Sequence, residues 1–259
     1  MLPLLALTMA VLLTPAALSR AAQPDVPALA AASDLKFAVE EIAAQFRGRT
    51  KRDVKLVFGS SGNFYRQIEQ GAPFQVFMSA DEAFVYKLAD AGRTEGRGHL
   101  YAIGRIVLFA RHGSPLKADP DFAGLRKAIA AGAIRRFAIA NPEHAPYGRA
   151  AEQALRKAGL WEGMKARLVL GENVSQAAQF ATGGSAEGGI FAYALALSPQ
   201  IEKLGRYVLI PETMHEPLRQ RMALVKGAGE TARVFYRYLQ EPPAREIFKR
   251  HGFVLPGEG

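Results

Sequence analysis

Three features of the chain predict an α/β fold. Short apolar runs bounded by turn residues alternate with longer stretches of helical periodicity, the pattern of βα units around mostly parallel sheets. With 259 residues and 49% hydrophobic content, the chain can bury a substantial core in one or two domains. Finally, at four places small or hydroxyl residues stand where a strand runs into a helix. These are Ala30-Ala31-Ala32-Ser33-Asp34, Phe58-Gly59-Ser60-Ser61-Gly62-Asn63, the loop 141–148 (Asn-Pro-Glu-His-Ala-Pro-Tyr-Gly), and Gly171-Glu172-Asn173-Val174-Ser175-Gln176. A helix N-terminus presents unpaired amides and a partial positive charge, so several of them converging form a pocket for an anion.

The elements follow in order. A first strand over 26–32 ends at Ser33, and a helix over 35–47 follows it. In that helix Phe37, Val39, Ile42, Ala43 and Phe46 approximate a 3.6-residue apolar stripe, with Ser33 or Asp34 able to cap its start. A strand over 54–59 enters the Ser60-Ser61-Gly62 turn and a helix over 64–70; a strand over 76–79 and a helix over 82–91 complete the first set. The extended stretch 100–111, which holds a strand over 106–110, carries the chain to a second lobe. There, strands over 136–140, 166–170, 189–191 and 206–210 alternate with helices over 148–158 and 175–181. A second extended stretch, 204–211, leads back. The strand 221–225 and the helices 230–239 and 244–251 then close a discontinuous first lobe.

Composition narrows the function. Residues 2–13 are almost uninterrupted apolar, and Ser19-Arg20-Ala21-Ala22 reads as a small-residue cleavage site, so 1–22 is expected to be a secretory signal peptide. Cysteine is absent, which excludes disulfides, thiol chemistry and a lipidated cysteine. A freely soluble periplasmic protein fits. The formal charge of +9 is scattered among acids, and the basic cluster 47–52 is short and lacks aromatics; it reads as solvated surface, not a nucleic-acid site. The five histidines, His99, His112, His144, His215 and His251, show no metal-ligand spacing, and a structural or surface role is expected for His144. Gly183-Gly184 and Gly188-Gly189 match neither a dinucleotide fingerprint nor a P-loop. A serine hydrolase built on Ser61 is the rival from another class, but Gly59-Ser60-Ser61-Gly62 is not G-x-S-x-G, so no catalytic residue is expected.

In their order and spacing, the four segments resemble the periplasmic molybdate-binding proteins of ABC transporters. So do the stretches 67–73 and 76–81 and the tail 246–253 (Glu-Ile-Phe-Lys-Arg-His-Gly-Phe). The resemblance spans essentially the whole mature chain. It implies a two-lobed periplasmic binding protein of type II, each lobe a mostly parallel sheet flanked by helices, with the ligand in the cleft. Lobe 1 is expected over 23–106 plus 210–259, and lobe 2 over 107–209. A monomer is implied, without cofactor, that delivers molybdate or tungstate to a membrane permease with its ATPase.

Residue by residue, the resemblance places the first ligand serine on Ser33, with the Asp34 amide as a further donor, and the second on Ser61. It also assigns the backbone amides of Tyr147 and Val174 to the anion, so those side chains are free to vary. Molybdenum is held only as its oxyanion, with no direct metal-ion ligand. Some members add a tyrosine hydroxyl after a stretch like Gly189-Ile190-Phe191; here Ala192 occupies that place and Tyr193 is the nearest candidate. The Asp34 side chain would repel a dianion and is expected to cap its helix and face away. A molybdate dianion only accepts hydrogen bonds, so it suits a cage of donors. Each charge-assisted bond contributes on the order of 1.5–3 kcal/mol, and roughly five to seven of them sustain nanomolar binding after ordering costs. Hydrogen phosphate needs an acceptor and is expected to be rejected, whereas sulfate, or another small anion such as a carboxylate, is the alternative ligand.

Overall fold

The computed structural model describes residues 26–257, and the expected signal peptide lies outside them. Strands β1 to β10 are numbered in chain order, and they form two five-stranded sheets. The first contains β1 (Ala28–Ala32), β2 (Lys55–Gly59), β3 (Phe74–Ser79), β4 (His99–Gly104) and β10 (Leu218–Leu224), in the order β2-β1-β3-β10-β4. The second contains β5 (Ile106–Arg111), β6 (Phe137–Ala140), β7 (Leu168–Gly171), β8 (Gly188–Ala192) and β9 (Gly205–Leu209), in the order β7-β6-β8-β5-β9.

In the first sheet β1 is parallel to β2 and β3, while β10 is antiparallel to β3 and β4. In the second, β6 is parallel to β7 and β8, while β5 is antiparallel to β8 and β9. Each sheet is therefore mostly parallel, with one reversed strand: the one by which the chain arrives from the other lobe. The long stretch read as continuous from 100 to 111 breaks at Gly104-Arg105. Its first half is β4, a strand that has no place in the sequence reading, and its second half opens the other sheet. Across the two crossings Arg105 Nη1 meets Glu212 Oε1 at 2.8 Å.

Helices flank both sheets: α1 (Lys36–Thr50), which continues a 3-10 turn at Ser33–Leu35, α2 (Ser61–Glu69), α3 (Glu82–Asp90), α4 (Ala123–Ala130), α5 (Pro146–Lys157), α6 (Trp161–Met164), α7 (Val174–Thr182), α8 (Tyr193–Ala196), α9 (Pro199–Glu202), α10 (Glu230–Tyr238) and α11 (Pro242–Arg250). The buried face of α1 is Ala38, Val39, Ile42 and Phe46, so Ala38 replaces the expected Phe37 on the inner stripe. Phe46 packs edge-on against Phe235 of α10 with centroids 5.0 Å apart. In α11, Phe248 lies 5.4 Å from Tyr101 of β4, and Val254 beyond it bridges to Ile103. The C-terminal segment thus packs on the first sheet. Helix α4 has no counterpart in the sequence reading; Asp119 accepts from the amides of Ala123 and Gly124, each at 2.7 Å, and Asp121 from that of Ala123 at 3.3 Å. No described helix is long and apolar enough to cross a membrane.

Candidate functional site

Parallel strands leave their C-terminal ends, and the helix N-termini that follow, on one side of a sheet, and ligands bind in the crevice there. Strand β1 runs into Ser33, β2 into Ser61, β6 through the 141–145 loop into α5, and β7 into α7. These ends face each other across the gap between the sheets. Ser33, Asp34, Ser61, Tyr147 and Val174 line one small pocket, together with Ala80 and Pro146. The two serines and the helix-start residues Tyr147 and Val174 are thereby brought together from segments up to 141 positions apart.

Ser60 is the N-cap of α2 and accepts from the Asn63 amide, and Asn173 is the N-cap of α7 and accepts from the Gln176 amide at 3.1 Å. Those caps consume the later amides of each first turn. The first amides have no acceptor within their helices, and none of the hydrogen bonds among the described residues uses the amides of Ser61, Tyr147 or Val174. Pro146 at the start of α5 has no N–H, which makes Tyr147 the first donor of that helix.

The hydroxyls are oriented by what they accept. Ser61 Oγ accepts from the Ala80 amide at 2.9 Å, and Ser33 Oγ accepts from the Ser175 amide at 3.2 Å. Each serine oxygen is thus already an acceptor, which leaves its O–H to donate elsewhere. Ser175 Oγ in turn donates to the Ser33 carbonyl at 2.9 Å, tying the two lobes at the pocket edge.

Two site expectations are corrected. Asp34 does not cap its helix and face away; it is 1% exposed, between the lobes. Its Oδ2 accepts from Gln220 Nε2 at 2.6 Å and from the Tyr147 hydroxyl at 2.9 Å, while Oδ1 is buried without a partner. Burial raises its carboxyl from the ordinary 3.8 to about 6, against the opposing pull of those bonds and of nearby backbone amides. The pocket wall therefore includes an acceptor that the sequence reading had excluded. Tyr193 is not brought to the pocket. It opens α8, its amide donates to the Arg105 carbonyl at 2.9 Å, and its ring lies against Tyr207 and Gly252.

Sequence reasoning also missed Gln220 and Tyr101, and it gave no role to Ala80 and Ser175, which lie within the stretches it singled out. Gln220 is 186 positions from Asp34; as a glutamine within an ordinary strand it carries no local signal. His144 is buried, which leaves the structural one of its two expected roles. It shares a 2.9 Å hydrogen bond with Ser60 Oγ and stands 3.6 Å from Glu172. Arg149, two positions beyond Tyr147, is paired with Asp81 at the rim, and no lysine or arginine lines the pocket. Among the described residues no group of three or more His, Cys, Asp or Glu gathers to hold a metal ion. The arrangement offers convergent neutral donors, suited to holding an anion.

The family model for bacterial extracellular solute-binding proteins matches residues 28–254. The molybdate-binding protein ModA of Azotobacter vinelandii is 38% identical over 246 residues, covering 92% of this chain and 93% of its own. That of Rhodobacter capsulatus is 35% identical over 228 residues, covering 87% and 86%. The solved A. vinelandii periplasmic molybdate-binding protein superposes with a TM-score of 0.80 at 33% identity, covering 89% of this chain and 99% of that one. The sulfate-binding protein SubI of Mycobacterium tuberculosis shares the fold, with a TM-score of 0.71 at 17% identity over 90% of this chain and 87% of its own.

Proposed function

This chain belongs to the bacterial extracellular solute-binding protein family, and on that premise we propose that it captures molybdate between its lobes for import by an ABC transporter. The relatives are binding proteins, and this chain is a binding protein rather than an enzyme. The observation that carries the proposal is the donor set. Serine hydroxyls 33 and 61 each already accept an amide, and the free first-turn amides of Ser61, Tyr147 and Val174 meet them at one pocket. A dianion that only accepts hydrogen bonds satisfies every one of these groups. Helix N-termini add a favourable field of roughly 0.3–1 kcal/mol each.

In this proposal the lobes, 23–106 plus 210–259 and 107–209, close over the anion, and the monomer acts in the periplasm and delivers it to a membrane permease powered by an ATPase. Tungstate presents the same four oxygens at nearly the same size and binds as well. With no cation in the pocket, the anion is released when the lobes part.

Isothermal titration of the mature protein tests this with molybdate, tungstate, sulfate and phosphate at fixed pH. Tight one-to-one binding of the first two, with sulfate silent, is expected. Silence with molybdate and binding of sulfate would transfer the site to the smaller anion. Binding of phosphate would show that the Asp34 carboxylate receives its proton.

A further inference from the structure

We infer that the Tyr147 side chain is the catch that holds the lobes closed, so that one residue couples anion contact to closure. This rests on the binding-protein reading above but adds a role for a side chain to which the family resemblance assigns none.

Tyr147 belongs to α5, which packs on the second sheet, yet its phenol ends among first-lobe groups. The hydroxyl donates to Asp34 Oδ2 at 2.9 Å and accepts from Gln220 Nε2 at 3.0 Å. Gln220 also donates to Asp34 at 2.6 Å, and its Oε1 accepts from Tyr101 at 2.8 Å. Asp34, Tyr101 and Gln220 come from the first lobe, and all are buried. The socket includes the crossing point itself, since a Cβ on Gly104 would lie 2.2 Å from the Tyr147 hydroxyl. Only glycine leaves room for the phenol there.

Separating the lobes breaks both bonds of the phenol at once, the one to the Asp34 carboxylate and the one from Gln220, a net cost that hydration of the exposed groups offsets only in part. Other ties cross the gap. Arg149 with Asp81 and Asn63 with Glu172 lie at the partly exposed rim, where water replaces them. Ser60 and His144 form a second buried tie, and Ser33 and Ser175 a partly buried one at the pocket edge. Ser60 lines the pocket as well, but Tyr147 differs in joining a free first-turn amide at the pocket to a side chain that fills a socket of the other lobe. An anion that draws in its amide therefore seats the phenol, and a seated phenol presents the amide.

The test uses Tyr147→Phe, which keeps the ring and removes the hydroxyl, and Gln220→Met, which alters the socket from the other lobe. The chain has no cysteine, so cysteines introduced at the exposed Gln67 and Gln179 accept distance-reporting labels cleanly. Each variant is expected to dissociate molybdate about tenfold faster or more, given a lost hydrogen bond to a charged group, with the association rate nearly unchanged. The anion-free label distance should lengthen in both, and the double variant should be no worse than the stronger single one. A residue serving stability alone would lower the melting temperature and leave dissociation and label distance at wild-type values; that result in both variants overturns the catch. Should wild-type protein ignore molybdate, the transport reading fails, while the anion-free distances still decide whether the phenol holds the lobes together.

Discussion

In the proposed site, Ser33 and Ser61 show how little a serine needs in order to offer its proton to an anion. Each oxygen accepts one amide, from Ser175 or Ala80, so rotation about the C–O bond is restricted and the proton is left for the pocket. Ser33→Ala and Ser61→Ala should each weaken molybdate binding by about 1–3 kcal/mol; titration calorimetry measures it, and unchanged affinity in both would remove the donor cage. Asp34 is the opposing residue. Its carboxyl, raised from 3.8 to about 6 by burial, binds a proton more tightly in the folded chain than in the unfolded one. Its protonation therefore contributes stability that is full below pH 3.8 and lost as pH rises through 6. At about 1.4 kcal/mol per pH unit this comes to about 3 kcal/mol. Asp34→Asn should flatten the slope of unfolding free energy between pH 4 and 6. It should also abolish the strengthening of molybdate binding expected as pH falls from 8 to 6, where loss of the carboxylate charge removes repulsion of the dianion. Equal slopes in both proteins, followed by denaturant unfolding and titration, would exonerate the carboxylate.

Helix starts are the working elements. Caps on later amides (Ser60 for α2, Asn173 for α7) and a proline before Tyr147 leave the first free amide of each helix at the pocket. Their approach depends on Gly62 at the start of α2. Its amide donates to the His144 carbonyl at 3.0 Å, and a Cβ there would sit 2.6 Å from that oxygen. Gly62→Ala should raise the helix propensity of α2 by up to about 1 kcal/mol yet push the 141–145 loop away. The expected result is a melting temperature kept or increased without anion, together with molybdate affinity reduced by about 1–3 kcal/mol. A variant that binds as tightly as the native chain would show that the two segments separate without cost to the site. Among the elements, the segments at Ser33, Ser61 and Val174 were legible from their turn residues, with caps at Ser60 and Asn173; the start of α2 was read three residues late, and no side chain caps the start at Ser33. Helix α4 was not read, although Asp119 and Asp121 both accept from the Ala123 amide.

At the scale of the whole molecule, two sheets of one topology are joined by two crossings, and the pocket exists only where they meet. An anion held by both lobes stabilises the folded chain by RT ln(1 + [L]/Kd), about 4 kcal/mol at a thousandfold excess over Kd. Molybdate should therefore raise the melting temperature measurably while sulfate does not; scanning calorimetry reads both, and equal rises would return sulfate to the ligand list. The linear order of residues was enough for the α/β class, for most strands and helices, and for the segments that meet at the pocket. These follow from periodicity and turn chemistry, which act over a few positions. The orientation of Asp34, the exclusion of Tyr193 and the recruitment of Gln220 were settled by packing between lobes. Tyr193 turns toward Tyr207 and Gly252 because β8 ends at Ala192, and Asp34 turns inward to meet Tyr147 and Gln220, which lie 113 and 186 positions away. Contacts at such separations depend on how the two sheets approach, and no local pattern of residues encodes that distance.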